Sequence, residues 1–146
     1  MKKIICFVLC MAMLFISLSI PTFAAGTEEN GITPRYNNVG LTDSSFMIDS
    51  NGVAHVTVSY TGYSNITTGA TITTQLQKRF LGLFWTTVDI GMPDDMWIEN
   101  PNEFHYYKYY SHQLSKKGTY RVEIHYTIYG TDGPADEVED FLTDTY

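Results

Sequence analysis

The strongest constraint on the fold is a strict alternation of apolar and polar residues between Gly118 and Gly130. One set of alternating positions carries large apolar side chains: Tyr120, Val122, Ile124, Tyr126 and Ile128. The intervening positions are Thr119, Arg121, Glu123, His125 and Thr127. A period of two residues is typical of a β-strand with one buried face and one face in water. The pattern predicts a central strand with Tyr120 buried at its start, in the manner of a tyrosine corner.

The rest of the chain predicts further short strands, giving seven or eight in total. Turn residues separate them at intervals of roughly 10 residues. The predicted strands cover residues 33–39, 44–49, 53–60, 70–78, 85–90, 103–114, 118–129 and 138–146. No stretch of helical length shows the apolar stripe of an amphipathic helix. We therefore predict an all-β fold, an antiparallel β-sandwich of the immunoglobulin or fibronectin type III kind, with a small closed β-barrel as the alternative.

Residues 1–24 have the three parts of a secretory signal peptide. Met1-Lys2-Lys3 supplies positive charge, and residues 4–20 are almost entirely apolar. In Thr22-Phe23-Ala24, Thr22 and Ala24 place small side chains at positions −3 and −1 of a cut after residue 24. We predict cleavage after residue 24, a disordered spacer over residues 25–31 and a single domain over residues 32–146. An uncleaved membrane anchor is the alternative. The predicted product is secreted and keeps no transmembrane segment.

Charge and cysteine usage argue against several function classes. Cys6 and Cys10 both lie in the predicted signal peptide, so the mature chain has no disulfide and no thiol chemistry. The whole chain has a formal net charge of -7, and cleavage would also remove Lys2 and Lys3. Such an acidic balance argues against nucleic acid and against anionic membrane surfaces as partners, because both attract basic patches.

Three short motifs connect the chain to a group of exported proteins. They are Pro34-Arg35-Tyr36, Leu76-Gln77-Lys78 upstream of Trp85, and Gly118-Thr119-Tyr120-Arg121-Val122. Together with the signal peptide, they resemble small secreted β-rich proteins of clostridia and related Gram-positive bacteria. The resemblance spans most of the mature chain and implies an exported all-β domain. It carries over no catalytic residue.

No arrangement of residues in the sequence predicts catalysis, a cofactor or a metal site. The four histidines, His55, His105, His112 and His125, do not form a metal-ligand motif and are interpreted as solvated. The sequence also has no nucleophile-elbow motif. Acidic residues crowd the C-terminal stretch: Asp132, Asp136, Glu137, Glu139, Asp140 and Asp144. We interpret this stretch as an acidic edge strand, with calcium binding as the alternative.

Two aromatic features are candidates for a contact surface. The first lies at a predicted hairpin tip, where polar residues are usual: Phe80, Leu81, Leu83, Phe84 and Trp85. It is either an exposed contact or a cap folded over the sandwich end. The second is the outward pair of a Tyr-rich strand, Tyr107 and Tyr109. The leading hypothesis is a secreted, non-enzymatic interaction module for an unknown protein, glycan or envelope component. The alternatives are a toxin or bacteriocin-like protein acting on membranes and a carbohydrate-binding accessory protein.

Overall fold

The computed structural model describes residues 36–131 and 133–146. They form eight strands: β1 Val39–Ile48, β2 Val53–Gly62, β3 Thr67–Phe80, β4 Phe84–Thr87, β5 Met96–Glu99, β6 His105–Gln113, β7 Thr119–Gly130 and β8 Asp136–Thr145. Within these residues no helix has the length and apolar character needed to cross a membrane. The predicted signal peptide (1–24) and spacer (25–31) lie outside the described residues, as does the start of the predicted domain.

The strands form two antiparallel sheets, which confirms the predicted all-β sandwich. Sheet 1 has the order β1-β2-β6, and sheet 2 has the order β4-β3-β7-β8 with β5 also paired to β3.

The alternating segment is β7, and it lies at the centre of sheet 2 between β3 and β8. Its five predicted inward side chains are between 0% and 2% exposed: Tyr120, Val122, Ile124, Tyr126 and Ile128. They pack in one apolar core with inward residues of β2 and β3, such as Val56, Val58 and Ile72. The alternation therefore identified the core face of this strand correctly.

Two segments differ from the predicted strand pattern. In the described residues, the single strand β1 stands where the sequence predicted two strands, 33–39 and 44–49. β1 runs without a break through the polar stretch Leu41–Ser45. The loop predicted between Gly91 and Pro101 contains the short strand β5. Pairing of β5 with β3 places Trp97 in the core, where its ring stacks on Tyr110 at 4.8 Å.

Asp132 lies outside the described residues, and the other acidic residues of the C-terminal stretch lie in the edge strand β8, whose inward carboxylates contact β1 of the other sheet and the residues just before it. Asp136 accepts hydrogen bonds from the backbone N–H groups of Asn38 (2.6 Å) and Val39 (3.0 Å). Farther along β8, Asp140 accepts one from the hydroxyl of Ser44 (2.7 Å). The sequence interpretation as an acidic edge strand was right about its position but missed that these carboxylates join the two sheets.

Candidate functional site

The β3–β4 hairpin ends in an apolar tip, which we define as Phe80, Leu81, Leu83, Phe84 and Trp85. The first four side chains are 55%, 76%, 75% and 62% exposed, and Trp85 is half-buried. The pairing of β3 with β7 stops at Lys78 opposite Tyr120, whereas its pairing with β4 continues to Phe80 opposite Phe84. The apolar tip therefore projects past β7 and does not fold back as a cap.

The turn at the apolar tip has an unusual residue in a left-handed conformation. Leu81 has φ 51° and Gly82 has φ 72°, and the N–H of Leu83 donates to the carbonyl of Phe80 at 3.1 Å. Two successive positive φ values are those of a type I′ turn, for which Asn-Gly is the preferred pair. A leucine in this region is strained by about 1–2 kcal/mol. Local turn chemistry therefore does not explain why an apolar residue stands here.

Apolar side chains occupy both faces of the hairpin. Phe80 and Phe84 are directly opposite each other and share one face, while Arg79 and Trp85 share the other. The guanidinium of Arg121, on β7, lies 4.5 Å from the centroid of the Trp85 ring. Arg121 therefore packs against the Trp85 indole. The two leucines at the end of the hairpin have no such cover and remain in solvent.

The second predicted surface lies on the outer face of sheet 1. Tyr107 and Tyr109 are 62% and 49% exposed, whereas Tyr106 and Tyr110 point inward, which is the division that the alternation predicts. The hydroxyl of Tyr109 is 2.5 Å from Nδ1 of His55, and the two rings stack with centroids 5.9 Å apart. The structure does not bring this tyrosine pair together with the apolar tip, because the two belong to different sheets.

A carboxylate between the sheets was not predicted as a polar centre. Glu99, on β5, accepts hydrogen bonds from the hydroxyls of Tyr106 (2.7 Å) and Tyr110 (3.3 Å) and forms an ion pair with Lys108 (3.2 Å). Burial opposes its ionisation, but the hydrogen bonds from Tyr106 and Lys108 hold the pKa of Glu99 below its usual value. Burial and the bond to Glu99 raise the pKa of Tyr106. This network joins β5 of sheet 2 to β6 of sheet 1.

A second polar cluster lies on the outer face of sheet 2. Nε2 of His125 is 3.0 Å from Glu123, its neighbour on the same face of β7, and Nδ1 is 3.2 Å from Glu139, directly opposite on β8. These three residues offer ligand atoms within 4.8 Å of one another. Each ring nitrogen of His125 therefore lies beside a carboxylate of the same cluster. The Glu-x-His spacing on one strand face is the sequence signal by which it could have been found.

Comparison of the chain with protein-family models, curated proteins and solved structures found no match. The function must therefore be inferred from the surface of the molecule itself.

Proposed function

We propose that this chain is a secreted, non-enzymatic binding protein that contacts its partner through the apolar tip. The observation that carries the proposal is the combination of high exposure and backbone strain at Leu81, which is 76% exposed with φ 51°. Contiguous exposed apolar surface is typical of contact sites. Strain at an exposed residue has no benefit to folding and is more often found where the side chain has a function.

The scaffold supports this role because the hairpin is anchored in the sheet that carries the core. β3 is the longest of the described strands, with 14 residues, and its inward side chains Ile72 and Leu76 are fully buried. Arg79 also fastens the turn by donating from Nε to the carbonyl of Gly82 at 2.9 Å. A side chain held on a rigid element loses little conformational entropy on binding.

Glycan binding through the tyrosine pair is less well supported. Sugar stacking needs an open ring face, and Tyr109 already stacks on His55. A glycan array comparing the protein with its Tyr107→Ala variant separates this alternative from binding at the apolar tip.

The test uses protein recovered from the culture medium of the producing cells, with its N-terminus checked by intact mass. We expect binding to the surface of intact cells, measured by flow cytometry of labelled protein. The double variant Leu81→Ser, Leu83→Ser should lose that binding. The matched control is Leu41→Ser with Met47→Ser, which removes two side chains of 63% and 57% exposure from sheet 1. Equal binding by both double variants would refute the proposal.

A further inference from the structure

Basic side chains are concentrated at the end of the molecule that carries the apolar tip. Of the nine Lys and Arg residues, Lys2, Lys3 and Arg35 lie outside the described residues. Five of the remaining six lie in β3, in the β6–β7 loop or at the start of β7, beside the hairpin: Lys78, Arg79, Lys116, Lys117 and Arg121. We call these five residues the basic collar. The acidic net charge of the chain does not show this concentration of basic side chains, of which Arg121 also lies 3.7 Å from the carboxylate of Glu123.

Contacts connect the basic collar to the base of the hairpin. Nζ of Lys78 lies 5.3 Å from the ring centroid of Tyr120, which begins β7 just after the loop that holds Lys116. Lys78 and Lys116 line one cleft of about 460 Å³ between β4 and that loop, and Asp89 is the acidic residue in its wall. Arg79 and Arg121 lie on the opposite face of the hairpin, over the Trp85 ring at 5.9 and 4.5 Å.

The distribution of apolar groups around the hairpin favours one class of partner. A protein interface has an apolar core and a polar, solvent-accessible rim, so a hairpin that docks on a flat protein surface is expected to be polar on the face away from it. Here Phe80 and Phe84 lie on one face, Trp85 lies on the other, and two leucines occupy the end. A hairpin with apolar side chains on both faces and at its end suits partial immersion in a medium that surrounds its tip. The boundary between lipid head groups and acyl chains is such a medium.

We infer that the apolar tip inserts into the surface of an anionic phospholipid bilayer while the basic collar contacts the head-group phosphates. This inference rests on the proposed function and names the partner of the same site. Lysine and arginine next to an apolar segment are attracted to an anionic leaflet, and the attraction acts within about one Debye length, ~8 Å at physiological ionic strength. Four collar residues lie at the base of the hairpin or in its cleft, and Lys117 lies over the ring of Tyr146, which follows β8. The collar therefore shares one end of the molecule with the apolar tip, and the molecule would approach the surface with that end first.

Vesicle binding tests the inference directly. We expect the secreted protein to co-sediment with vesicles of phosphatidylglycerol and phosphatidylcholine, and at least tenfold more weakly with phosphatidylcholine alone. Leu81→Ser with Leu83→Ser should weaken binding at least tenfold, and Lys116→Gln with Lys117→Gln should weaken it several-fold without changing the turn. The control pair Leu41→Ser, Met47→Ser should bind as the parent protein does.

Tryptophan fluorescence gives a readout that electrostatic adsorption alone would not produce. Trp97 is in the core, so its replacement by Phe leaves Trp85 as the reporter at the tip. Its emission should shift to shorter wavelength on anionic vesicles and be quenched by lipids brominated on their acyl chains.

The outcomes separate this inference from the proposed function. The protein could fail to bind vesicles and still bind cells in a way that the tip variant abolishes. That result would overturn the membrane assignment and leave a protein or glycan partner for the tip. Equal binding to both kinds of vesicle would also overturn it, because the basic collar would then have no role. If the tip variant binds both vesicles and cells as the parent does, both proposals are wrong.

Discussion

The phenolic hydroxyl of Tyr120 donates a hydrogen bond to the backbone carbonyl of Lys116, four residues earlier in the chain, at 2.5 Å. Tyr120 is 2% exposed at the start of β7, and the bond fixes the β6–β7 loop against it. Burial raises the pKa of Tyr120, so the hydroxyl remains a donor at neutral pH. This is the geometry of a tyrosine corner, and it confirms the sequence prediction.

Removal of that hydroxyl should destabilise the fold. Tyr120→Phe keeps the ring in the core but leaves the Lys116 carbonyl without its donor. We expect a loss of about 1 kcal/mol in the free energy of unfolding, measured by urea titration. Tyr107→Phe, on an exposed side chain, is the control and should be silent. An unchanged free energy of unfolding in Tyr120→Phe would mean that water replaces the hydrogen bond to the Lys116 carbonyl without cost.

The alternation along β7 predicts opposite results for two adjacent residues. Ile124 is fully buried, and Ile124→Ala should cost about 2–4 kcal/mol because it creates a cavity. The His125 side chain is 44% exposed, and His125→Ala should change stability by less than about 0.5 kcal/mol. Denaturant midpoints provide the measurement. Equal losses of stability for the two variants would contradict the register of β7, because a shift of one residue moves every side chain to the other face.

The alternation of apolar and polar residues was sufficient to predict a strand whose inward positions are apolar. It failed where polar residues are buried against partners from distant parts of the chain. β7 alternates cleanly, and its inward side was correctly predicted; β2 shows the same alternation of buried and partly exposed positions. The sequence predicted a break between the strands 33–39 and 44–49, but β1 is continuous there, and the Ser44 hydroxyl contacts Tyr126 (2.7 Å) and Asp140 (2.7 Å) of sheet 2. Periodicity cannot show such partners, since they lie more than 80 residues away.

The candidate site was predictable in its residues but not in its conformation. An apolar turn stands out in sequence, and all five tip residues were singled out. The left-handed Leu81 and the contact of Arg121 with Trp85 depend on backbone torsion and on pairing across strands. Pairing across strands also brings Glu139 to His125. None of these relationships is expressed in residue spacing along one strand.

The contact of β8 with the start of β1 should depend on a single carboxylate. Asp136 accepts backbone hydrogen bonds from Asn37, Asn38 and Val39, and it is 8% exposed. In Asp136→Asn, one acceptor oxygen becomes an amide donor that faces N–H groups. We expect a loss of about 1–3 kcal/mol in urea unfolding. Glu137→Gln, on the exposed face of β8, is the control and should be nearly silent. Equal effects would show that the Asp136 bonds add nothing beyond surface charge.

The Glu99 network should make part of the stability depend on pH. The pKa of Glu99 is lower in the folded state than its usual value of 4.5, so the folded state binds fewer protons at this group. Its contribution is therefore complete above about pH 4.5 and is lost as the pH falls through the folded-state pKa. Urea midpoints of the parent and of Glu99→Gln should differ at pH 7 and converge in acid. A difference between the two urea midpoints that stays constant down to pH 3 would contradict this assignment. Glu103→Gln, at an exposed position, is the control.

The apolar tip should contribute little to folding. Leu81 and Leu83 are 76% and 75% exposed, so Leu81→Ser with Leu83→Ser should leave the free energy of unfolding within about 0.5 kcal/mol of the parent value. A loss of about 2 kcal/mol or more would instead indicate burial, as in a cap over the sandwich end. Urea titration distinguishes the two results before any binding is measured.

The same turn allows stability and binding to be changed in opposite directions. Asparagine adopts the left-handed conformation more readily than leucine, and Leu81→Asn creates the Asn-Gly pair that type I′ turns prefer. With φ 51° at this position, the substitution should stabilise the fold by about 0.5–1 kcal/mol while removing the most exposed apolar side chain of the tip. Binding to cells and to anionic vesicles should fall. A variant that is both more stable and equally competent in binding would show that the strain at Leu81 has no connection with function. A variant that loses stability would show that the leucine side chain packs in the folded state.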